Sequence, residues 1–419
     1  MTGRQRAGRV GGSLGGRRPA GRSGAAGTGW RDDRIWQAGF LVGSLLGALA
    51  TVLSRRAERS ARRGLVDWPQ VEAIAIARLR RAPGGLDPSE LRASEASYAA
   101  AMEQIVPRLG AFLGTDLPGV AERVEVVDRA GWVRANISAF RSLIERLEGR
   151  LIDEIVPVGG GLAKSVLAIA NRYLTTRQIG YLLGFLGQRV LGQYDLALLT
   201  AEAPAGRLLF VEENIRQTAR ALDVPLGPFR TWIALHETTH AFEFEAHPWL
   251  RPYLAERLER QLAALSKDAA SLSRDALRSL GRSLRGESDA DHWLERLMTD
   301  EQRRLFRETQ SVMSLLEGFS DYVMDEVGRE IVPGVERISD RFQERRESRS
   351  AMERAILRLT GLDLKIEQYR KGERFVAAVA AGGGRAALAR LWEGPETLPR
   401  EGEIEAPERW LRRVAGLDR

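Results

Sequence analysis

There is no cysteine in the 419 residues of this chain. Disulfide bonds and thiolate metal sites are therefore excluded, and any bound transition metal must sit on His, Asp or Glu. The lack also fits a reducing compartment. Histidine is scarce too: four in the whole chain, so few positions qualify as imidazole ligands. Aromatics make up 7% and long alternating β-branched runs are rare, which argues against a large sheet. Leu, Ala, Arg and Glu dominate instead, so the expected fold is mainly α. With 44% hydrophobic residues, the chain can bury a sizeable core.

The formal net charge of +7 is unevenly spread. Residues 1–34 hold eight arginines and ten glycines and read as a disordered basic tail that cannot bury enough apolar surface to order itself. Further on, Arg and Glu are interspersed as on solvated helix faces, with no basic stripe carrying aromatics, so no nucleic-acid partner is expected.

Residues 35–53 carry no charge. As a helix they would run about 28 Å, against the roughly 30 Å hydrocarbon core of a bilayer. Gly39, Gly43 and Gly47 line one smooth face. Three readings fit: a glycine-rich packed helix, a single membrane anchor, or a cleaved signal segment, the last disfavoured by the long stretch before it. With the basic flank Arg55, Arg56, Arg59, Arg62 and Arg63, residues 35–63 form an apolar helix with a membrane-anchoring option. The positive-inside rule would then keep the main domain in the cytoplasm.

Residues 64–419 read as one globular body. Helical apolar spacing marks about 67–81, 89–113, 134–152 and 160–193, and the glycine-rich run 180–192 is suited to close packing on another helix. Runs 194–199 and 207–212 flank a turn at 202–206 and predict a β-hairpin, or part of a small sheet. A polar helix is expected over 253–285, a break at 381–384, and a tail bearing Trp392 and Trp410 that folds back.

The chemistry concentrates at HETTH. Pro228 suits the first position of a helix that stops before Pro248. On it His236 and His240 lie one turn apart on one face, so two ring nitrogens can reach one tetrahedral zinc at roughly 2.0–2.1 Å. Glu237 projects beside them, placed to act on a metal-bound water as general base. This is the H-E-x-x-H arrangement. The neighbours Ile233, Ala234, Leu235, Thr238, Thr239, Ala241 and Phe242 are uncharged, as a buried active-site helix requires.

A catalytic zinc needs a third protein ligand and an open position. Along a continuous helix His247 would lie about 10 Å from His240, and His292 has no supporting pattern. Glu317 is the better candidate. It sits at the edge of the stripe Val312, Leu315, Leu316, Phe319, Val323 and Val327, on a helix opening with a capping box at Thr299 and ending at Gly328. A carboxylate there is costly unless paired or ligating. Asp321, one turn on, is expected to accept the outer N–H of His236 or His240. Tyr369 and Arg370 are candidate donors to an oxyanion.

Glu317 and Asp321 resemble the E-x-x-x-D helix of the gluzincins, the thermolysin-like branch of zinc peptidases. The wider resemblance rests on VDWPQV, VLGQYDLAL, GRLLFVEENI, the metal helix with HPWLR after it, MSLLEGFSDYVMD and KIEQYRKGERFV, in that order between residues 65 and 376. Together these resemble a family of zincin-like proteins linked to hydrolysis and associated with deazaflavin coenzyme biosynthesis, mostly bacterial. The resemblance implies a mostly helical zincin-like fold with an HExxH metal site.

The expected function is a zinc-dependent hydrolase acting on a peptide or small amide, with the β-hairpin edge open to an extended chain. The rival is a non-catalytic zinc-stabilised scaffold, or an interaction protein held at a membrane. Glu237 separates the two, because a structural site has no use for a carboxylate facing the water position.

Overall fold

The structure, a computed structural model, describes residues 64, 66–155, 162–194, 206–267, 299–347 and 364–416. Side chains of 147–155, 162–169, 262, 264–267, 346–347, 364–370 and 401 fall outside that description, as do the tail 1–34, the stretch 35–53 and His292. The described residues all belong to the unit Ala57–Arg419.

Local chemistry sets most helix starts. Asp67 caps α1 (Trp68–Leu79) by accepting the Gln70 N–H, with proline in the first turn. A reciprocal capping box of Asp87 and Glu90 opens α2 (Pro88–Leu113), which ends at Gly114 in the left-handed conformation, φ 72°. Next come α3 (Arg129–Ile155) and α4 (Leu162–Leu186). α4 stops well short of residue 193, because the chain turns at 187–189 and enters a strand. Its glycines pack as their spacing implies: a Cβ on Gly180 would fall 2.8 Å from Ile74 Cβ, and one on Gly184 2.8 Å from Arg78 Cδ, both on α1.

The sheet has three strands, β1 (Val124–Val127), β2 (Gly192–Tyr194) and β3 (Leu208–Val211), in the order β1-β3-β2. β3 is fully buried and central, which suits its unbroken apolar sequence LLFV. β2 pairs antiparallel to it, Gly192 opposite Phe210, while β1 pairs parallel, Val124 opposite Leu208. The hairpin expectation thus becomes part of a mixed sheet. Its first strand begins at Gly192 rather than Tyr194, and 195–205 lie outside the described residues.

After α5 (Glu212–Leu222) comes the HETTH helix, α6 (Leu226–Glu245). It starts two residues before Pro228, with Pro225 at the cap. The shift is harmless, since a first-turn proline lacks only an N–H that has no helical partner there. α7 (Leu250–Lys267) covers the described part of the polar helix. The Thr299–Gln302 capping box opens α8 (Asp300–Ile331), which runs past Gly328. α9 (Val335–Glu347) and α10 (Leu364–Arg390) follow, α10 kinking at Gly384 (φ 63°) within the expected break. The tail does fold back: Trp392 and Trp410 are buried, and Trp410 Nε1 donates to Thr397 O at 2.7 Å.

One large core joins α2, α6, α8 and α10, through residues such as Tyr98, Phe242, Leu315, Phe319, Phe375 and Val379. A smaller one gathers Trp68, Val71, Trp132, Leu183 and Val211. Among the described residues no helix is long and apolar enough to cross a membrane. The fold is mostly helical with a small sheet, and the sheet's β2 edge and α8 flank the HETTH helix.

Candidate metal centre

α6 and α8 run antiparallel. Their contacts step in opposite directions along the two helices, from His236 beside Met324 to His240 beside Ser320. This brings one face of α6 against the polar edge of the α8 stripe. His236, His240 and Glu317 meet there, with one ligand atom from each lying within 4.8 Å of the others.

The distances fit a single ion. His240 Nε2 lies 3.2 Å from His236 Nε2, and His236 Nε2 lies 3.7 Å from Glu317 Oε2. Tetrahedral donors held at about 2.0–2.1 Å from zinc would stand about 3.3 Å apart. Proton placement supports the same reading. His240 Nδ1 lies 2.7 Å from Glu243 Oε2, and a carboxylate can only accept, so Nδ1 carries the hydrogen and the Nε2 lone pair is free. His236 Nδ1 faces Met324 Sδ at 3.0 Å, another acceptor, and its Nε2 turns towards His240 Nε2 and Glu317. Two imidazole nitrogens and a carboxylate oxygen facing one point are a donor set suited to a cation.

Electrostatics agree. Burial alone would lower the pKa of His240, but the carboxylates of Glu243, Glu317 and Glu237 outweigh it and push the ring up to about 10. Without an ion the ring holds that positive charge as a second proton, which a metal would displace. Burial pushes Glu243 up to about 7, against the opposing charge and hydrogen bond of His240. Glu243 is the site residue that sequence reasoning missed. It lies on the same face of α6, three residues after His240, and its Oε1 receives Ser320 Oγ at 3.4 Å. The i, i+3 spacing was a usable signal, but only burial against α8 shows that the carboxylate turns inward.

Asp321 stands beside the outer nitrogen of His236. Its Oδ1 is 3.9 Å from His236 Nδ1, beyond hydrogen-bond range, with Met324 sulfur the nearer neighbour of that nitrogen. Flexible Met packs into the space beside the ring. His247 stacks on Trp392, ring centres 5.3 Å apart, and takes no part in the cluster. Tyr369 and Arg370 lie on α10, but their side chains are outside the described ones.

Glu237 points to the sheet side of α6. Its Oε2 accepts the Tyr194 N–H of β2 at 2.8 Å. β2 comes so close that a Cβ on Gly192 would fall 2.6 Å from Glu237 Cγ. Burial raises the Glu237 carboxyl to about 7, opposed by the His240 charge and the Tyr194 N–H and reinforced by Glu317. Tyr194 is fastened in turn: its hydroxyl donates to Glu245 Oε1 at 2.9 Å and accepts from Arg251 at 3.1 Å, while Arg123 pairs with both Glu245 oxygens.

Comparison with known proteins fits this geometry. A family model described as zincin-like metallopeptidase matches residues 66–411. A crystal structure from Chloroflexus aurantiacus, described as a candidate hydrolase with a novel fold, is similar at 35% identity, covering 83% of this chain and 98% of that one with a TM-score of 0.61. No curated protein matches the chain. Neither match carries the deazaflavin association.

Proposed function

We propose that this chain, which belongs to the zincin-like metallopeptidase family, is a zinc-dependent hydrolase of peptide or small amide bonds. His236, His240 and Glu317 would hold the ion, and Glu237 would act as general base. The observation that carries this reading is the convergence of the His236 and His240 Nε2 atoms and the Glu317 carboxylate on one point, each within 4.8 Å of the others.

Zinc bound there supplies a Lewis acid that brings the pKa of a bound water towards about 7. The protein does the rest. Glu243 holds the His240 ring in the tautomer that presents Nε2, and Met324 and Asp321 flank the far side of His236. Glu237 is held through Oε2 by the Tyr194 N–H, so Oε1 is the atom that takes a proton from the nucleophile and returns it to the leaving amine. A carboxyl pushed up to about 7 is matched to that task near neutral pH. Tyr369 and Arg370 are the proposed donors to the oxyanion.

The test pairs metal content with hydrolysis of a mixed peptide library. The parent protein is expected to carry about one zinc per chain, as a three-ligand site does. Glu317→Ala weakens binding, and Glu237→Gln keeps zinc but loses hydrolysis. Full zinc retention in Glu317→Ala removes that ligand from the site. Unchanged hydrolysis in Glu237→Gln removes the base. Zinc with no hydrolysis in any form leaves the scaffold reading.

A further inference from the structure

Three large apolar side chains are exposed among the described residues: Tyr173 at 50%, Leu174 at 53% and Tyr181 at 45%. All three lie on α4. Arg177 stands between the tyrosines, one turn from each, and ties them into a ladder. Its guanidinium donates to Tyr173 Oη at 3.1 Å and Tyr181 Oη at 2.8 Å, with its central carbon 5.5 and 5.4 Å from the two ring centres. Rings held this way are pre-organised at the surface, so docking them loses little side-chain freedom. α1 packs on the flank of α4 next to this patch, through Gly180 and Gly184.

Charge and connectivity identify the partner. α4 contains no Asp or Glu, and its charged residues are Lys164, Arg172 and Arg177. The chain also enters the folded body against this same helix. Arg172 donates to Gly64 O and pairs with Asp67, and the Asp67 N–H donates to Thr176 Oγ1 at 3.0 Å. Just before Gly64 in the sequence come five arginines, Arg55, Arg56, Arg59, Arg62 and Arg63, and before them the uncharged stretch 35–53. Tyrosine rings belong at headgroup depth, and a basic run next to an apolar stretch favours anionic lipid.

We propose that this face of α4 rests on an anionic lipid surface, with Tyr173, Leu174 and Tyr181 at headgroup level and Arg177 paired with lipid phosphate. The contact is interfacial: α4 lies along the surface and does not cross it. This stands independently of the zinc reading.

The absence of cysteine makes the test direct, because Leu174→Cys in the full chain creates a single thiol for a polarity-sensitive fluorophore. Gln178→Cys, also exposed on α4, serves as a second site should the first disturb folding, and Glu330→Cys on α8 as a reference. Each labelled protein is mixed with vesicles of phosphatidylcholine alone and of phosphatidylcholine with phosphatidylglycerol. The expected result is a blue-shifted emission from the α4 label with the anionic vesicles only, the reference label staying aqueous. Adding Arg177→Glu raises the lipid concentration for half-maximal shift on the order of tenfold. An α4 label that stays aqueous while the chain co-floats with vesicles overturns the proposal. So does an equal response to both vesicle types. A shift that grows with protein concentration without lipid assigns the face to a protein partner instead.

Discussion

Helices α8 and α10 cross at Gly318 and Gly372, and that crossing sets the position of Glu317. A Cβ on Gly372 would fall 1.9 Å from the Ser314 carbonyl oxygen and 2.7 Å from its carbon. The closest ordinary carbon–oxygen contact is about 3.3 Å, so Gly372→Ala must open the crossing by about 1.4 Å. Ser314 lies inside α8, where its backbone is tied into the helix and cannot yield alone. The helices must part instead, loosening the buried packing of Leu315, Phe319, Phe375 and Val379. Overpacking of this kind costs about 1–3 kcal/mol, and backbone as the obstacle places this case at the upper end. Glu317 adjoins Gly318, and metal ligands tolerate displacements of only about 0.2 Å. Zinc affinity is therefore expected to fall together with stability. Urea unfolding and chelator competition measure the two. Gly227→Ala is the control, since a Cβ there meets nothing within 4 Å; it should be neutral or stabilise by about 0.4–1 kcal/mol. A Gly372→Ala protein with parental stability and zinc affinity would refute the reasoning.

Three further outcomes follow from named contacts. Glu243→Ala removes the acceptor that orients His240 and should weaken zinc binding about 10- to 100-fold by chelator competition; unchanged affinity would assign Glu243 to packing alone. Gly192→Ala places a Cβ 2.8 Å from Glu237 Oε1, so kcat should drop while zinc content stays at the parental level. Glu212 is fully buried against Arg230, Arg216, Tyr98 and Ser94; burial opposes its charge, but those partners hold its carboxyl below the ordinary value. A depressed folded pKa means stability present above the unfolded value and lost as pH falls through the folded one. Glu212→Gln should therefore cost about 3–5 kcal/mol near neutral pH, with the gap to the parent narrowing in acid denaturation series.

Several features were legible because they are local. The i, i+4 histidines, the Thr299 capping box, the α8 stripe and the glycine face of α4 are all set by helical periodicity and by side chains bonding their own backbone. Glu317 was found as a carboxylate at the edge of an apolar stripe, an anomaly visible without knowing what it faces. β1 escaped because four half-buried residues carry too little pattern, and its parallel pairing with β3 spans a long stretch of chain. Turn geometry puts Asp321 beside His236, but it cannot foresee that Met324 stands closer to the same ring nitrogen.

The sequence by itself determined that two imidazoles share a face of one helix, that no thiolate could join them, and that the chain would build a mainly helical body. Tertiary structure decided which partners those groups meet: Glu317 across the antiparallel helix, Glu243 turned inward to orient His240, and the β2 backbone against Glu237. Helical period and composition act within a few residues and need no fold to express them. The spacing of donors around a shared point depends on how closely helices approach, and that is set by distant pairs such as Gly318 and Gly372.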